Sequence, residues 1–241
     1  MRQLADFLRE LVGQQPIPEY LPRRLFPKHL VLLPVEDLGG GFTSSSDLVR
    51  TLELEIERHL GEFFYGVHAL DELEPGRKFH KKGVRTPRQA RKVKVYPSQA
   101  FYDLGRVHGR RVLGVHGKGN VVALVLTKRR LYSRKVELFE ATSPVFGEAN
   151  RLLDVCVVSL KALREGLPAD PERARLLFHQ RVVKEALHEL GHLVIHSIKH
   201  CSNPKCVMSW ARDVDEVDSR QVGFCPACRD ILTRMREKFN I

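Results

Sequence analysis

The chain has 241 residues, of which 43% are hydrophobic and 29% charged, and it carries a formal net charge of +11. This length and composition predict one globular domain with a proper hydrophobic core, and they demand no second domain. No uninterrupted apolar run approaches the ~20 residues of a membrane span, which excludes a protein with membrane-spanning helices. Acids interrupt the apolar run at the N-terminus, so a signal peptide is not expected and the predicted location is the cytoplasm.

The first 27 residues predict an N-terminal extension, helical as far as Leu11 and then broken by prolines. Residues 28–241 are expected to form a single domain. It opens with a buried strand at Leu30–Val35, followed by a helix that begins at Ser46 and repeats an apolar residue every four positions. A second strand is predicted at residues 67–70.

A basic stretch follows, with nine lysines and arginines between residues 77 and 94. It could be an electrostatic footprint for nucleic acid. The alternatives are a solvated loop, which is the more ordinary interpretation of a single charge run, and a surface that attracts acidic peptides. Only two aromatic residues accompany the charges, too few for a platform on which bases stack.

Further strands are predicted at residues 112–115 and 121–126, and residues 148–160 lead into another strand or a helix-strand pair. Asp170-Pro171-Glu172 predicts the start of a helix, because a capping residue precedes a proline at the first helical position and an acid in the first turn. Apolar residues then recur at helical spacing from Leu176 to Val194, as in a helix buried against a sheet. The pattern as a whole predicts an α/β (α+β) fold with a mixed sheet.

The predicted long helix contains His188-Glu189-Leu190-Gly191-His192, which is an HExxH sequence. Histidines four residues apart share one helix face, so both rings can reach one zinc ion at about 2.0–2.1 Å. Glu189 then lies beside the metal, where it can take a proton from water whose pKa the metal lowers. The alternative is that the motif occurs here by chance, so the surrounding sequence is needed to support a metal site.

Zinc needs a third protein ligand, and two later histidines are candidates. On an unbroken helix His196 would lie about 12 Å along the axis from His188, too far for one ion. His200 is the better candidate, provided that the helix ends near residues 195–197 and the chain turns back. His196 is the fallback ligand, and more ordinarily a side chain in the wall of a cleft.

Four cysteines follow in two pairs: Cys201 and Cys206, then Cys225 and Cys228. This spacing suits a closed, tetrahedral four-thiolate zinc site with a structural role. Disulfides and unrelated thiols are the alternatives, and the absence of a secretory signal favours metal. The fifth cysteine, Cys156, lies in an apolar strand and is interpreted as a packing residue.

The order HExxH, His200-Cys201, Cys-x4-Cys-x-Met and a final Cys-x-x-Cys resembles the archaemetzincin family of zinc metallopeptidases. Segments 111–115, 131–132, 145–149 and 157–160 also look like the family's strands, so the resemblance covers roughly residues 28–235. It implies a metzincin-like mixed sheet packed on an active-site helix, with two zinc ions per chain and a peptide substrate. The residues that it implies are His188, His192 and His200 for the catalytic zinc, Glu189 as general base, Met208 as the Met-turn residue, and Cys201, Cys206, Cys225 and Cys228 for the structural zinc.

The family usually reads HExxHxxGxxHC, whereas here eight residues rather than six separate His192 from Cys201, and the glycine is missing. The turn must be built another way. A positive φ is awkward for β-branched Ile195 and easier for Ser197 or a longer loop. The altered turn motivates a second hypothesis, a catalytically impaired zinc protein that binds nucleic acid or another protein. The first hypothesis is a zinc metallopeptidase, with aminopeptidase-like activity as one option. It leaves open whether the enzyme is an endopeptidase or an exopeptidase. A monomer is expected.

Overall fold

The computed structural model describes residues 26–74, 96–112, 121–133 and 145–241. Most of the predicted extension and the whole basic stretch 77–94 lie outside these residues, so the domain boundary at residue 27 stays a prediction. In chain order the strands are β1 (Lys28–Val35), β2 (Phe64–Ala69), β3 (Tyr96–Pro97), β4 (Val121–Thr127), β5 (Leu131–Tyr132), β6 (Gly147–Asn150) and β7 (Val155–Ser159). The helices are α1 (Ser45–Leu60), α2 (Ser98–Val112), α3 (Leu160–Leu163), α4 (Pro171–Val194), α5 (Val214–Ser219) and α6 (Pro226–Phe239).

Five strands form one mixed sheet in the order β2-β1-β4-β7-β6. Strands β1, β2, β4 and β7 are parallel, whereas β6 runs antiparallel to β7 at one edge. All seven residues of β4 and all five of β7 are buried, as expected of parallel strands covered on both faces. Strands β3 and β5 form a separate parallel pair. The predicted α/β architecture with a mixed sheet is confirmed.

Helices cover both faces of the sheet. Leu30, Leu32 and Leu124 pack in one core with the buried faces of α1 and α4. Leu33 and Val125 point the other way and pack with aromatic residues of α2. This alternation follows from the period of two in a strand, which sends successive side chains to opposite faces. Helix α4 therefore lies against the sheet, with its C-terminal end beside the edge strand β6.

Helix α4 begins as the sequence predicts. The side chain of Asp170 accepts a hydrogen bond from the backbone N–H of Arg173, and Pro171 is the first helical residue. Every residue from Arg181 to Val194 is buried. The predicted apolar stripe is wrong at its first position, because Leu176 is 50% exposed where the helix has not yet reached the sheet.

The strand predicted at residues 112–115 is also wrong where it is described, because Val112 is the last residue of α2. Residues 113–115 lie outside the described residues. Residues 148–160, predicted to lead into another strand or a helix-strand pair, contain a hairpin of β6 and β7 and the first residue of α3. Across the described ranges, none of the helices combines the length and apolar character that crossing a membrane requires.

Candidate metal centre

Helix α4 places His188 and His192 on one face, one turn apart, with their Nε2 atoms separated by 3.1 Å. The ring of His200 stacks on that of His188 with centroids 5.2 Å apart and meets the ring of His192 edge-on at 5.1 Å. One nitrogen from each ring lies within 4.8 Å of the others. The structure thus brings together the three histidines that the resemblance named.

The chain turns back at the end of the helix, as the choice of His200 requires. Helix α4 ends at Val194, and the backbone N–H of Ile195 makes its last hydrogen bond, 2.8 Å to the carbonyl of Gly191. The positive φ falls on His196, at 54°, within the longer loop, and Ile195 keeps a φ of −69°. His196 is exposed and lies outside the histidine group, so the fallback ligand is not placed near the other two rings.

The hydrogen bonds of the two helical histidines fix their tautomers. The Nδ1 atom of His188 lies 2.8 Å from the carbonyl of Val207, and that of His192 lies 2.7 Å from the carbonyl of Ser197. A carbonyl oxygen only accepts, so each Nδ1 carries the proton and donates it. In a neutral ring the Nε2 atom then carries no proton and can only accept a hydrogen bond. The Nε2 lone pairs of His188 and His192 therefore face each other.

Facing lone pairs repel unless a cation lies between them. Burial lowers the pKa of His188 well below its usual range and that of His192 to about 4, so near neutral pH this cation is not a proton. In a tetrahedral zinc site with Zn–N bonds of about 2.0–2.1 Å, two ligand nitrogens lie about 3.3 Å apart. The separation of the Nε2 atoms fits that geometry, and neutral imidazole is the form that binds metal.

Glu189 lies in the wall of a cleft of about 350 Å³ that also contains the three histidine rings. The carboxylate is closely packed against strand β6, since a Cβ atom at Gly147 would lie only 2.6 Å from Glu189 Oε1. Gly147 therefore leaves the space that the carboxylate occupies. The sequence motif placed Glu189 beside the metal, but nothing in it indicated that strand β6 would approach this side chain.

Met208 packs against Gly191, the residue that precedes His192 in the helix. A Cβ atom at Gly191 would lie 2.4 Å from the Met208 sulfur, so the glycine inside HELGH permits the methionine to pack against the helix. The Met208 carbonyl accepts from the backbone N–H of Cys201 at 2.8 Å. The preceding residue, Val207, supplies the carbonyl that orients His188. The two residues after Cys206 thus contact the helix turn that carries both histidines, Val207 at His188 and Met208 at Gly191.

The four paired cysteines form a second group, whose sulfur atoms all lie within 4.8 Å of one another. Cys201 and Cys225 are separated by 3.6 Å, and Cys206 and Cys228 by 3.7 Å. A disulfide would require about 2.05 Å, whereas two thiolates on one tetrahedral zinc lie about 3.8 Å apart. All four are free cysteines. The spacing fits a shared metal ion and not a disulfide.

The surroundings of these sulfurs act in opposite directions: burial raises the pKa of Cys206 and Cys228, whereas backbone N–H groups stabilise a thiolate at Cys206. Cys206 Sγ accepts from the backbone N–H groups of Met208 and Cys225, at 3.4 and 3.3 Å. Burial alone would raise the pKa of Cys225, but a backbone hydrogen bond at Cys228 and the neighbouring thiols lower it to about 7. The thiolate is the form that binds metal, and Cys225 is the sulfur on which the surroundings favour that form.

Sequence analysis missed a buried ion pair in the floor of the cleft. Arg220 Nη1 donates to Glu185 Oε1 at 2.7 Å, with the two side chains 2% and 4% exposed. Burial raises the pKa of Glu185, and the Arg220 charge opposes that rise. The pair ties α4 to the segment that follows α5. The available signal was the position of Glu185, one turn before His188 on the same helix face.

Comparisons with known proteins identify relatives of this chain. The profile of peptidase family M54 matches residues 120–234. The archaemetzincin of Methanopyrus kandleri is 32% identical over 197 residues, covering 81% of this chain and 91% of that protein. The archaemetzincin of Thermococcus kodakarensis is 39% identical over 104 residues, which cover 43% of this chain and about half (54%) of the relative.

A solved structure shows the same likeness in three dimensions. The crystal structure of archaemetzincin from Methanopyrus kandleri superposes with a TM-score of 0.60 at 27% identity. The superposition covers 92% of this chain and 98% of that one. The resemblance found in the motifs is thus confirmed over most of both chains, and the chain belongs to the archaemetzincins, grouped as peptidase family M54.

Proposed function

We propose that the protein is a zinc-dependent metallopeptidase in which His188, His192 and His200 hold the catalytic ion. The observation that carries the proposal is the pair of bare Nε2 acceptors 3.1 Å apart, in a cleft that also contains a glutamate. Zinc, when bound, supplies Lewis acidity that polarises a carbonyl and acidifies water. The open cleft favours a catalytic over a closed structural site.

Glu189 is proposed as the general base. Its carboxylate takes the proton that the attacking water loses, and it later gives that proton to the nitrogen of the departing amine. Close packing against Gly147 fixes the direction in which the carboxylate points. A base held in one orientation loses little entropy when the reaction begins, which is how positioning contributes to rate.

The substrate is proposed to be a peptide that lies in extended form along β6. This strand is the edge of the sheet, and its residues Gly147, Glu148 and Ala149 line the cleft. An edge strand can pair with an added strand through main-chain hydrogen bonds, which hold a peptide without regard to its sequence. Specificity then depends on side chains in the cleft wall, among them the exposed Trp210 and Ile198.

Cys201, Cys206, Cys225 and Cys228 are proposed to hold a second, structural zinc ion. Four protein sulfurs within 4.8 Å of one another fill a tetrahedral shell and leave no position for a substrate. Burial raises the pKa of Cys206, and the two backbone N–H groups that point at its Sγ oppose that rise. The chain would then bind two ions with different roles.

Native mass spectrometry at neutral pH tests this arrangement. Protein supplied with a slight excess of zinc should carry two ions, and His188→Ala should carry one. The two-ion protein should hydrolyse peptides in a mixed library, whereas His188→Ala should not. Peptides with free and with blocked N-termini, compared side by side, distinguish an aminopeptidase from an endopeptidase. Two ions without hydrolysis of any peptide would contradict the peptidase proposal.

Gly147→Ala tests the placement of the general base. The added Cβ would lie 2.6 Å from Glu189 Oε1, so the carboxylate must move away from its position. We expect kcat to fall about 10²-fold, since a small misplacement in a catalytic group costs that much. Zinc content and melting temperature should stay close to those of the parent. A matched control is Gly41→Ala, because a Cβ atom there meets nothing within 4 Å.

A further inference from the structure

The loop between α4 and His200 carries two features on which the histidine group depends. Its residue Ser197 provides the carbonyl that accepts from His192 Nδ1 at 2.7 Å. Its end determines where His200 lies, since His200 follows the loop directly. The loop therefore orients His192 and determines the position of His200. Most of the loop is exposed, namely residues 196 and 198–200.

The loop contains one residue in a backbone conformation that is uncommon outside glycine, although histidine adopts it more often than most residues do. His196 has φ of 54°, in the left-handed region that glycine adopts readily and other residues seldom adopt. Such a residue keeps that conformation when its surroundings hold it there. Inside the loop, Lys199 N–H donates to Ser197 Oγ at 3.1 Å, but this bond does not reach His196.

A contact from another part of the chain reaches His196. Arg151 Nη1 donates to the carbonyl of His196 at 2.7 Å. Charged donors make shorter and stronger hydrogen bonds than neutral ones, and a guanidinium keeps its charge at every pH at which the protein is folded. The bond joins residues 45 positions apart in the chain, so it is a tertiary contact and not part of the turn itself.

The turn that carries Arg151 is braced by hydrogen bonds. Arg151 lies in the turn between β6 and β7, where the Asn150 side chain accepts from the backbone N–H groups of Leu152 and Leu153, at 3.1 and 3.3 Å. The backbone N–H of Leu153 also donates to the carbonyl of Asn150 at 3.2 Å. The guanidinium thus extends from a braced turn and lines the same cleft as the histidines.

We propose that Arg151 is a positioning residue for the histidine site, replacing the backbone freedom that a glycine gives the usual family sequence. By holding the His196 carbonyl, it keeps the loop in the conformation in which Ser197 orients His192 and His200 meets the other two rings. The inference rests on the proposed catalytic zinc site. Arg151 directly follows strand β6, where the substrate is proposed to lie. The proposed role therefore links this strand with the affinity of the histidine site for metal.

The test measures zinc affinity and requires no substrate. Wild type and variants are titrated with zinc against a competing chelator, and with Co²⁺ as a spectroscopic probe, because only the cysteine site gives sulfur charge-transfer bands. In Arg151→Ala we expect the zinc Kd of the histidine site to rise about tenfold, in the range measured for residues that orient metal ligands. The cysteine site should be unchanged.

Three further variants make the result specific. Arg50→Ala removes an exposed arginine from α1 and should leave both affinities unchanged. Arg151→Lys keeps one charged donor and should recover part of the lost affinity. The double variant Arg151→Ala/His196→Gly should recover most of it, because glycine adopts the positive φ without a clamp. A general loss of folding in Arg151→Ala would not be repaired by a glycine at position 196.

The outcomes separate the two proposals. A histidine site that binds zinc equally well in wild type and Arg151→Ala overturns the positioning role and leaves the peptidase proposal intact. Failure of His196→Gly to restore affinity also overturns it. Absence of any ion at the histidine site in the wild-type protein overturns the proposed catalytic zinc, and the role of Arg151 with it.

Discussion

Replacing Glu189 with glutamine should remove peptide hydrolysis while both zinc ions stay bound. The amide has nearly the same shape as the carboxylate and still fits against Gly147, but it cannot accept the proton that water loses. General bases contribute about 10²–10⁴-fold to enzymatic rates, so kcat should fall by at least that range. The measurement is the initial rate on a peptide that the parent cleaves, together with the zinc content of the same sample.

The control is Glu172→Gln, which makes the same chemical change at an exposed position in the first turn of the same helix. It should leave the rate unchanged. A Glu189→Gln protein that keeps its zinc and retains more than a tenth of the parent rate would show that another group removes the proton. Loss of zinc in the variant would instead show that Glu189 supports the histidine ligands.

Cys225→Ser should destabilise the protein far more than substitutions in the histidine group do. Structural zinc contributes about 10–16 kcal/mol to the folding of small zinc domains, whereas whole domains are stable by only about 5–15 kcal/mol. Loss of one thiolate ligand should therefore unfold residues 201–241. Hydrogen exchange and the thermal transition measure this directly.

The effect should extend to the histidine site. Val207 and Met208 contact His188 and Gly191, and both follow Cys206 in the chain. We therefore expect Cys225→Ser to lose both ions, whereas His188→Ala loses one. Cys156→Ala is the control, since it removes a buried thiol from β7 that belongs to neither group. A Cys225→Ser protein with two ions and the parent melting temperature would contradict the proposed structural site.

A chelator and a reductant distinguish metal from disulfide in the parent protein. Four thiolates around zinc should release their ion to a strong chelator, with loss of protection in residues 201–241, and should not respond to a reductant. Disulfides would behave in the opposite way. The sulfur separations of 3.6 and 3.7 Å lead us to expect the response to the chelator.

Local rules in the sequence predicted the parts of the site that depend on local geometry. Asp170 and Pro171 determine where α4 begins, and the period of the helix places His188 and His192 on one face. The cysteine spacing predicted which sulfurs would meet. Each of these predictions needs only residues that are close in sequence or a motif with a fixed geometry.

The rest of the site depends on contacts between distant parts of the chain. His196, which has the positive φ, accepts a hydrogen bond from Arg151, and the loop's own residues do not reveal that contact. The approach of Gly147 to Glu189 follows from the antiparallel placement of β6, which a short stretch of four residues does not reveal. The apolar residues around position 112 fit a strand or a helix equally well. In the structure Val112 is the last residue of helix α2.

The short segment from Cys206 to Met208 has a consequence for the way in which zinc supply affects the protein. Its first residue belongs to the cysteine group, and the next two support the histidine group. With the two proposed ions, we expect the thiolate site to fill before the histidine site takes its final shape. Once folded, the open histidine site can lose its ion while the closed one keeps the structure. Under zinc scarcity we expect a folded, inactive pool that regains activity on resupply without new protein synthesis.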